Sequence, residues 1–151
     1  MAIQLGDFLP DFKGVDQNNQ LFDSSSLKGK PVVIYFYPKD NTPGCTVQAC
    51  SFRDAYQDFQ DLGAVVVGIS SDSVASHQNF QEKYQLPFKL IADVDKRIRK
   101  LFGVPKAIFG LLPGRVTYVF DKNGKAIFVF DSIRAKHHID EALKVLQNEL
   151  K

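Results

Sequence analysis

The residues with the clearest chemical potential in this sequence are Cys45 and Cys50, the only two cysteines in the chain. Cys45 follows Thr-Pro-Gly at 42–44, shortly after an apolar run at 31–37 that predicts a buried strand. A cysteine at the start of the helix after such a strand lies beside unpaired backbone N–H groups, and the helix dipole there favours a thiolate. Because the thiolate is the reactive form, the pattern predicts redox or nucleophilic chemistry at Cys45.

The residues just before Cys45 suit a reactive sulfur. The Thr42 hydroxyl lies three positions earlier and can donate a hydrogen bond to the thiolate or to an oxygen of a bound substrate. Pro43 and Gly44 favour a tight turn and let a small molecule approach the backbone closely. In the alternative interpretation, Cys45 is an inert core thiol behind an N-capping Thr42. The Thr-Pro-Gly run favours the reactive interpretation.

The spacing of the two cysteines limits how they can pair. Five residues along an α-helix separate two Cα atoms by roughly 8.6 Å, which exceeds the roughly 7 Å that a disulfide can span. Either Cys50 is a small core residue, or it captures an oxidised Cys45 after the first turns of the helix unwind. A thiolate that attacks an O–O bond becomes a sulfenic acid, which a second thiol converts to a disulfide.

A cation near the sulfur would stabilise both the thiolate and the departing oxygen. The candidate is Arg115, at the start of a predicted strand that ends at the same edge of the sheet as Cys45. The alternative for Arg115 is an ordinary surface arginine.

Composition limits the possible classes of protein. The chain has 151 residues, of which 44% are hydrophobic and 24% charged, so a single globular domain is expected. A net charge of +2 is too small to predict binding to nucleic acid or an anionic membrane. The basic residues between 96 and 100 are predicted to form a solvated helix face. No targeting signal or bilayer-spanning apolar run is recognisable, which predicts a cytoplasmic location.

The hydrophobic pattern predicts strands alternating with helices, then a hairpin and a final helix. The predicted strands are 31–37, 64–70, 88–91, 115–120 and 125–130, and the predicted helices are 44–62, 73–84, 94–102 and 136–150. A short hairpin (11–15 with 20–22) and one helical turn (24–28) precede them. A βαβ unit followed by a ββα unit is the arrangement of the thioredoxin fold, an α/β class with a central mixed sheet flanked by helices. One such domain is expected to span residues 1–151.

The sequence resembles the peroxiredoxins, and within them the peroxiredoxin Q group, also called bacterioferritin comigratory proteins. Pro38, Thr42 and Cys45 match the family motif of Pro, three residues, Thr, two residues and Cys. Further matches run over nearly the whole chain, at residues 49–54, 68–73, 83–88 and 115–125. The last of these segments carries the arginine that is catalytic in the family, here Arg115.

The resemblance implies a peroxidase that reduces hydrogen peroxide and alkyl hydroperoxides. Cys45 is then the peroxidatic cysteine and Cys50 the resolving one, joined as an intrachain disulfide that thioredoxin or a similar dithiol protein reduces. Thr42 and Arg115 hold the peroxide, together with the backbone at Gly44, and Pro38 shields the sulfur. No metal, flavin or haem is implied. Members are commonly monomers, with dimers also known.

One position departs from the group. A Glu usually stands three residues after the peroxidatic cysteine, and here it is Gln48. Gln keeps the hydrogen bond but lacks the ionic contribution. The change bears on how firmly the arginine is positioned and on the rate, not on the reaction type.

Two other functions compete with peroxide reduction. A thiol–disulfide oxidoreductase of the same fold normally has Cys-X-X-Cys, whereas four residues separate the cysteines here. A binding module that has lost catalysis is disfavoured by the intact Thr42, Cys45 and Arg115. A metal site is weaker still, because it would have to draw on His77, His137 and His138, and adjacent helical residues do not face one ion.

Overall fold

The structure is a computed structural model that describes residues 2–104, 106–107, 112–113, 115–131 and 135–149. Its strands are β1 (Lys13–Val15), β2 (Leu21–Asp23), β3 (Val32–Phe36), β4 (Val65–Ser70), β5 (Lys89–Ala92), β6 (Lys106–Ala107), β7 (Leu112–Pro113), β8 (Val116–Phe120) and β9 (Ala126–Asp131). Its α-helices are α1 (Pro43–Asp54), α2 (Tyr56–Asp61), α3 (Val74–Tyr84), α4 (Arg97–Phe102) and α5 (Ala135–Glu149). A 3₁₀ turn, Ser24–Leu27, follows β2. Within the described ranges, no helix is long and apolar enough to cross a membrane.

A five-stranded mixed sheet lies at the centre, in the order β5-β4-β3-β8-β9. The first three strands are parallel, whereas β8 runs antiparallel to both β3 and β9. Strands β3 and β8 are buried along their whole length, as expected for a sheet covered on both faces. With the two-stranded β1-β2 hairpin near the N-terminus, this is the architecture that the sequence predicted.

Alternate residues of β3 point into two separate cores, because successive side chains of a strand face opposite sides. On one face, Tyr35 packs with Cys45 and Phe52 of α1 and with residues of α3 and α5. On the other, Phe36 packs with Phe102 of α4 and with the β1-β2 hairpin. Helix α1 therefore starts at the carboxyl end of β3 and lies across the face that carries Tyr35.

The predicted helix 44–62 is in fact two helices. Helix α1 ends at Asp54 and α2 begins at Tyr56, with Ala55 between them at φ −92° and ψ 3°. The apolar positions continue across this bend, so the hydrophobic pattern did not reveal it. The predicted start of the next helix at Val94 was also early, because the Asp93 carboxylate accepts hydrogen bonds from the backbone of Ile98 and Arg99. The short β6-β7 pairing was not predicted.

The prediction of a solvated basic face between residues 96 and 100 was wrong for one member. Lys96, Arg97 and Lys100 are exposed, but Arg99 is only 8% exposed. Its Nη2 donates to the carbonyl of Tyr37 at 3.2 Å, and its guanidinium lies 5.5 Å from the ring centroid of Phe36. Arg99 therefore points toward the carboxyl end of β3 instead of into solvent.

Two tyrosines of β3 and the residue after it form a natural pair for comparison. Tyr35 and Tyr37 are each 1% exposed, and their ring centroids are 5.4 Å apart. The Tyr37 hydroxyl donates to Asp40 Oδ1 at 2.6 Å, whereas the Tyr35 hydroxyl has no hydrogen-bond partner. Burial raises the pKa of both tyrosines well above the usual value. Only Tyr37 thus recovers the hydration that its hydroxyl loses on folding.

Tyr35→Phe is expected to increase the free energy of unfolding by about 1 kcal/mol, because it removes a buried hydroxyl that has no partner. Tyr37→Phe is the matched control and should decrease that free energy by about 2 kcal/mol, since its hydroxyl bonds to a carboxylate. Urea denaturation of the reduced proteins measures both changes. Equal destabilisation by the two substitutions would show that the Tyr35 hydroxyl has a partner.

Candidate active site

Cys45 lies in the first turn of α1, at the carboxyl end of β3. Thr42 is the extended residue that precedes the helix, and Pro43 is its first residue, where the missing N–H of proline costs nothing. The Thr42 side chain does not cap the helix, so no side chain from this position satisfies the first-turn N–H groups. Cys45 is only 1% exposed. The sulfur therefore sits at the positive end of a helix, in a largely desolvated place.

The pairing of β3 with β8 brings Arg115 to this sulfur. Phe36 pairs with Val116, so Arg115 lies beside the point where β3 ends. Arg115 Nη2 is 3.3 Å from Cys45 Sγ, and its Nη1 donates to Gln48 Oε1. Arg115 and Gln48 are both buried, at 7% and 0% exposure. One guanidinium thus bridges the sulfur and the amide three residues further along α1.

Gly44 makes room for this guanidinium. A Cβ atom at Gly44 would lie 3.0 Å from Arg115 Nη2, closer than most real contacts. Gly44 itself is exposed and helical. Space for Arg115 is therefore a second reason for glycine here, besides the close approach of a small molecule that the sequence predicted.

The structure places Thr42 and Pro38 near the site, with one difference from expectation. The Thr42 hydroxyl donates to the carbonyl of Lys39 at 2.8 Å. A hydroxyl has one proton, so in this arrangement Thr42 presents only its oxygen lone pairs to the pocket and does not donate to the thiolate. Pro38 is half-buried and directly follows buried Tyr37.

Cys50 is half-buried, and both cysteines are free. The two residues lie in one uninterrupted helix, α1, which runs from Pro43 to Asp54. The helical separation of roughly 8.6 Å therefore applies to their Cα atoms. The two sulfurs can bond only if the first turns of α1 open.

A buried polar network that the sequence did not reveal anchors the loop between β3 and α1. Asp40 Oδ1 accepts from Tyr37, and Oδ2 accepts from Ser76 at 2.8 Å and contacts His77 Nδ1 at 2.7 Å. His77 Nε2 lies 3.0 Å from the carbonyl of Ile91 and must donate, because a carbonyl only accepts. A second proton lies between Nδ1 and Asp40. The loop is thereby tied to α3 and β5.

This network also answers the question of a metal site. Among the residues described, Asp40, Asp72 and His77 have ligand atoms within 4.8 Å of one another. The 2.7 Å contact between Asp40 and His77 is a direct hydrogen bond, which leaves no room for an ion between them. His138 lies elsewhere, with its Nδ1 2.7 Å from Thr117 Oγ1. The His137 side chain is outside what the structure describes. The predicted alternative of a histidine metal site thus gains no support.

Arg99 is a second buried cation that sequence reasoning missed. Burial lowers the pKa of Arg99, while Asp93 and, more weakly, the charges of Tyr118 and Cys45 oppose that change. Its field therefore reaches the sulfur, and its bond to the Tyr37 carbonyl holds the backbone where the loop begins. Nothing in the hydrophobic pattern separates Arg99 from its three exposed basic neighbours.

The chain matches known proteins along most of its length. Residues 5–129 match the profile of the AhpC/TSA family. "Peroxiredoxin Q, chloroplastic" from Sedum lineare is 54% identical over 140 residues, covering 92% of this chain and 75% of that protein. Peroxidoxin BcpB from Mycobacterium tuberculosis has a similar structure, with a TM-score of 0.89, 35% identity and 97% coverage of both chains.

A further solved structure is a bacterioferritin comigratory protein from Xanthomonas campestris, described in connection with alkyl peroxide reduction. Its TM-score is 0.85, with 30% identity and coverage of 93% of this chain and 92% of that one. These likenesses confirm the thioredoxin fold that the sequence predicted.

The predicted cytoplasmic location is wrong by this comparison. The relative from Sedum lineare is named as a chloroplastic protein, which points to a plastid instead. The prediction relied on the lack of a recognisable targeting signal, and that lack did not identify the compartment.

The family assignment follows from the extent of these matches. The AhpC/TSA profile spans most of the chain, and relatives with about half their residues identical are peroxiredoxin Q proteins. Such homologues indicate a thiol-dependent peroxidase, with a hydroperoxide as substrate and a thiol as reductant. The chain belongs to the AhpC/TSA family and, within it, to the peroxiredoxin Q group of peroxiredoxins.

Proposed function

We propose that this protein reduces hydrogen peroxide and alkyl hydroperoxides through Cys45, with Cys50 as the resolving cysteine. The observation that carries the proposal is the 3.3 Å contact between Arg115 Nη2 and Cys45 Sγ at the start of α1. A guanidinium and a helix N-terminus both favour the negative charge of a thiolate.

In the first step, the Cys45 thiolate attacks one oxygen of the peroxide. An S–O bond forms, the O–O bond breaks, and the second oxygen leaves as an alkoxide or hydroxide that takes up a proton. Arg115 stabilises the charge that moves from the sulfur to the departing oxygen. Because its own proton is directed to Lys39, the Thr42 hydroxyl accepts a hydrogen bond from the incoming hydroperoxide. Pro38 shields the sulfur from bulk water.

In the second step, Cys50 attacks the sulfenic acid of Cys45. The S–S bond forms as the S–O bond breaks and water leaves. Both residues belong to α1, so its first turns must unwind before the sulfurs meet. A dithiol protein such as thioredoxin then reduces the disulfide by thiol exchange, which returns both thiols.

The described groups of the site all come from one chain. Cys45, Gln48, Cys50 and Arg115 are brought together by α1 and the end of β8, without a contribution from a second copy. We therefore propose that residues 1–151 act as one domain and that a monomer completes the cycle.

Cys45→Ser is expected to abolish peroxidase activity, because the attacking sulfur is lost. Cys50→Ser should still form the Cys45 sulfenic acid with one equivalent of peroxide but should not turn over with thioredoxin. Mass spectrometry after that single equivalent should show, in the wild type, a loss of two hydrogens and a peptide linking the two cysteines. Undiminished thioredoxin-linked turnover by Cys50→Ser would contradict the resolving role.

Arg115→Lys is expected to lower kcat/KM for peroxide by about a hundredfold, the usual loss when one donor to a developing oxyanion is removed. A lysine cannot contact Cys45 and Gln48 at once, because it lacks the planar fork of the guanidinium. Arg97→Lys, at an exposed position on α4, is the matched control and should leave the rate near that of the wild type. Stopped-flow peroxide consumption measures both. Equal rates for the two variants would remove Arg115 from the reaction.

A further inference from the structure

Arg115 is a buried cation whose protein contacts include no carboxylate. Its two hydrogen bonds go to the neutral amide of Gln48 and to the sulfur of Cys45. The ion pairs within 4.0 Å in the described part of the chain do not include Arg115. Since a buried charge without a counter-ion is strongly unfavourable, the thiolate of Cys45 is the anion that balances this guanidinium.

Gln48 decides that this balance depends on the sulfur alone. It lies three residues after Cys45 on α1, and therefore on the same face of the helix. Its Oε1 accepts from Arg115 and fixes the guanidinium without neutralising it. Its Nε2 is buried and has no partner in the structure, so the amide adds a second unfavourable term to the closed site.

We propose that Gln48 is a positioning residue that leaves the Cys45 thiolate as the sole counter-ion of Arg115, so that oxidation of the sulfur opens the first turns of α1 toward Cys50. The proposal rests on the proposed peroxidase function and adds the trigger for its second step. It also assigns a consequence to the amide that stands where the group usually has a carboxylate.

The charge balance of the first step supplies the trigger. Before the reaction the site holds one positive guanidinium and one negative sulfur. After the O–O bond breaks, the departing oxygen carries the negative charge away and is protonated, and the sulfur is a neutral sulfenic acid. Arg115 is then a buried cation without an anion, which favours opening of the site to water. Opening is also what Cys50 requires before it can attack.

A second unpaired group under α1 acts in the same direction. The buried Tyr35 hydroxyl has no partner, and the Tyr35 ring stacks on Phe52 of α1 at 4.6 Å. Tyr35 and Gln48 carry the two buried side-chain polar atoms without a partner in the described chain, and both lie against α1. Water that enters when α1 opens can satisfy both atoms, which lowers the cost of opening.

Other charged or titratable groups face this region. They are Arg99 on α4, Asp40 in the loop, Tyr35 on β3 and Cys50 on α1. Asp40 is engaged by Tyr37, Ser76 and His77, and Arg99 by the Tyr37 carbonyl. Variants at Gln48 leave all of these groups in place, so changes in pH dependence report on position 48.

The test is Gln48→Glu, which is nearly isosteric and gives Arg115 a permanent carboxylate partner. We expect the acid limb of the pH–rate profile for peroxide consumption to move to higher pH, because the carboxylate competes with the thiolate for Arg115. We also expect disulfide formation after one equivalent of peroxide to slow by about fivefold or more, the usual lower size of such a coupling. Under excess peroxide, the longer-lived sulfenic acid should give more sulfinic acid on Cys45.

Two control variants separate charge from lost contact. Gln60→Glu makes the same chemical change at an exposed position of α2 and should alter neither readout. Gln48→Met removes both hydrogen-bonding groups of the amide without adding charge, so it should not move the acid limb upward and should not slow disulfide formation. A merely structural role for Gln48 would make the Glu and Met variants change in the same direction.

If Gln48→Glu forms the disulfide as fast as the wild type, or if its acid limb does not move, the proposal is wrong. Wild-type peroxidase activity would leave the proposed function intact in that case, whereas absence of a Cys45 sulfenic acid in Cys50→Ser would overturn the function itself. Should Gln48→Glu not fold, hydrogen exchange of residues 43–50 in Cys50→Ser replaces it. The proposal requires faster exchange in the sulfenic acid form than in the thiolate form, and equal protection overturns it.

Discussion

The contact between the Arg115 guanidinium and the Cys45 sulfur is the interaction on which the rest of this site depends. Both groups are buried, and the guanidinium lies 3.3 Å from a sulfur that also occupies the positive end of a helix. In a poorly hydrated place, two sources of positive potential make an anion on the sulfur favourable. The same contact links resting state and reaction, because the charge that balances Arg115 is the charge that the reaction consumes.

The fold holds one part of the site rigidly and leaves another free to open. The register between β3 and β8 fixes Arg115, and the Asp40 network ties the loop before α1 to α3 and β5. The first turns of α1, in contrast, begin without a side-chain cap and cover two buried polar atoms that lack partners. The opening that the cysteine spacing demands can therefore occur in α1 while the sheet and the loop anchor stay in place.

Much of this arrangement could be predicted because it follows from local patterns. A continuous apolar strand followed by Thr-Pro-Gly-Cys predicts a cysteine at a helix start, and the hairpin register then brings Arg115 to the same edge. The bend at Ala55 could not be predicted, because the apolar positions continue through it. The burial of Arg99 and the proton direction of Thr42 depend on tertiary partners, the carbonyls of Tyr37 and Lys39, which lie outside any sequence period.

A pH titration of the thiolate ultraviolet absorbance tests the central claim most directly. The reduced Cys50→Ser variant isolates the signal of Cys45, and a variant lacking both cysteines provides the blank. The account predicts that Cys45 absorbs as a thiolate at neutral pH, well below the pH of about 8.5 at which an ordinary cysteine ionises. A signal that appears only in the range of an ordinary cysteine would show that Arg115 does not have the thiolate as its counter-ion, and would contradict the account.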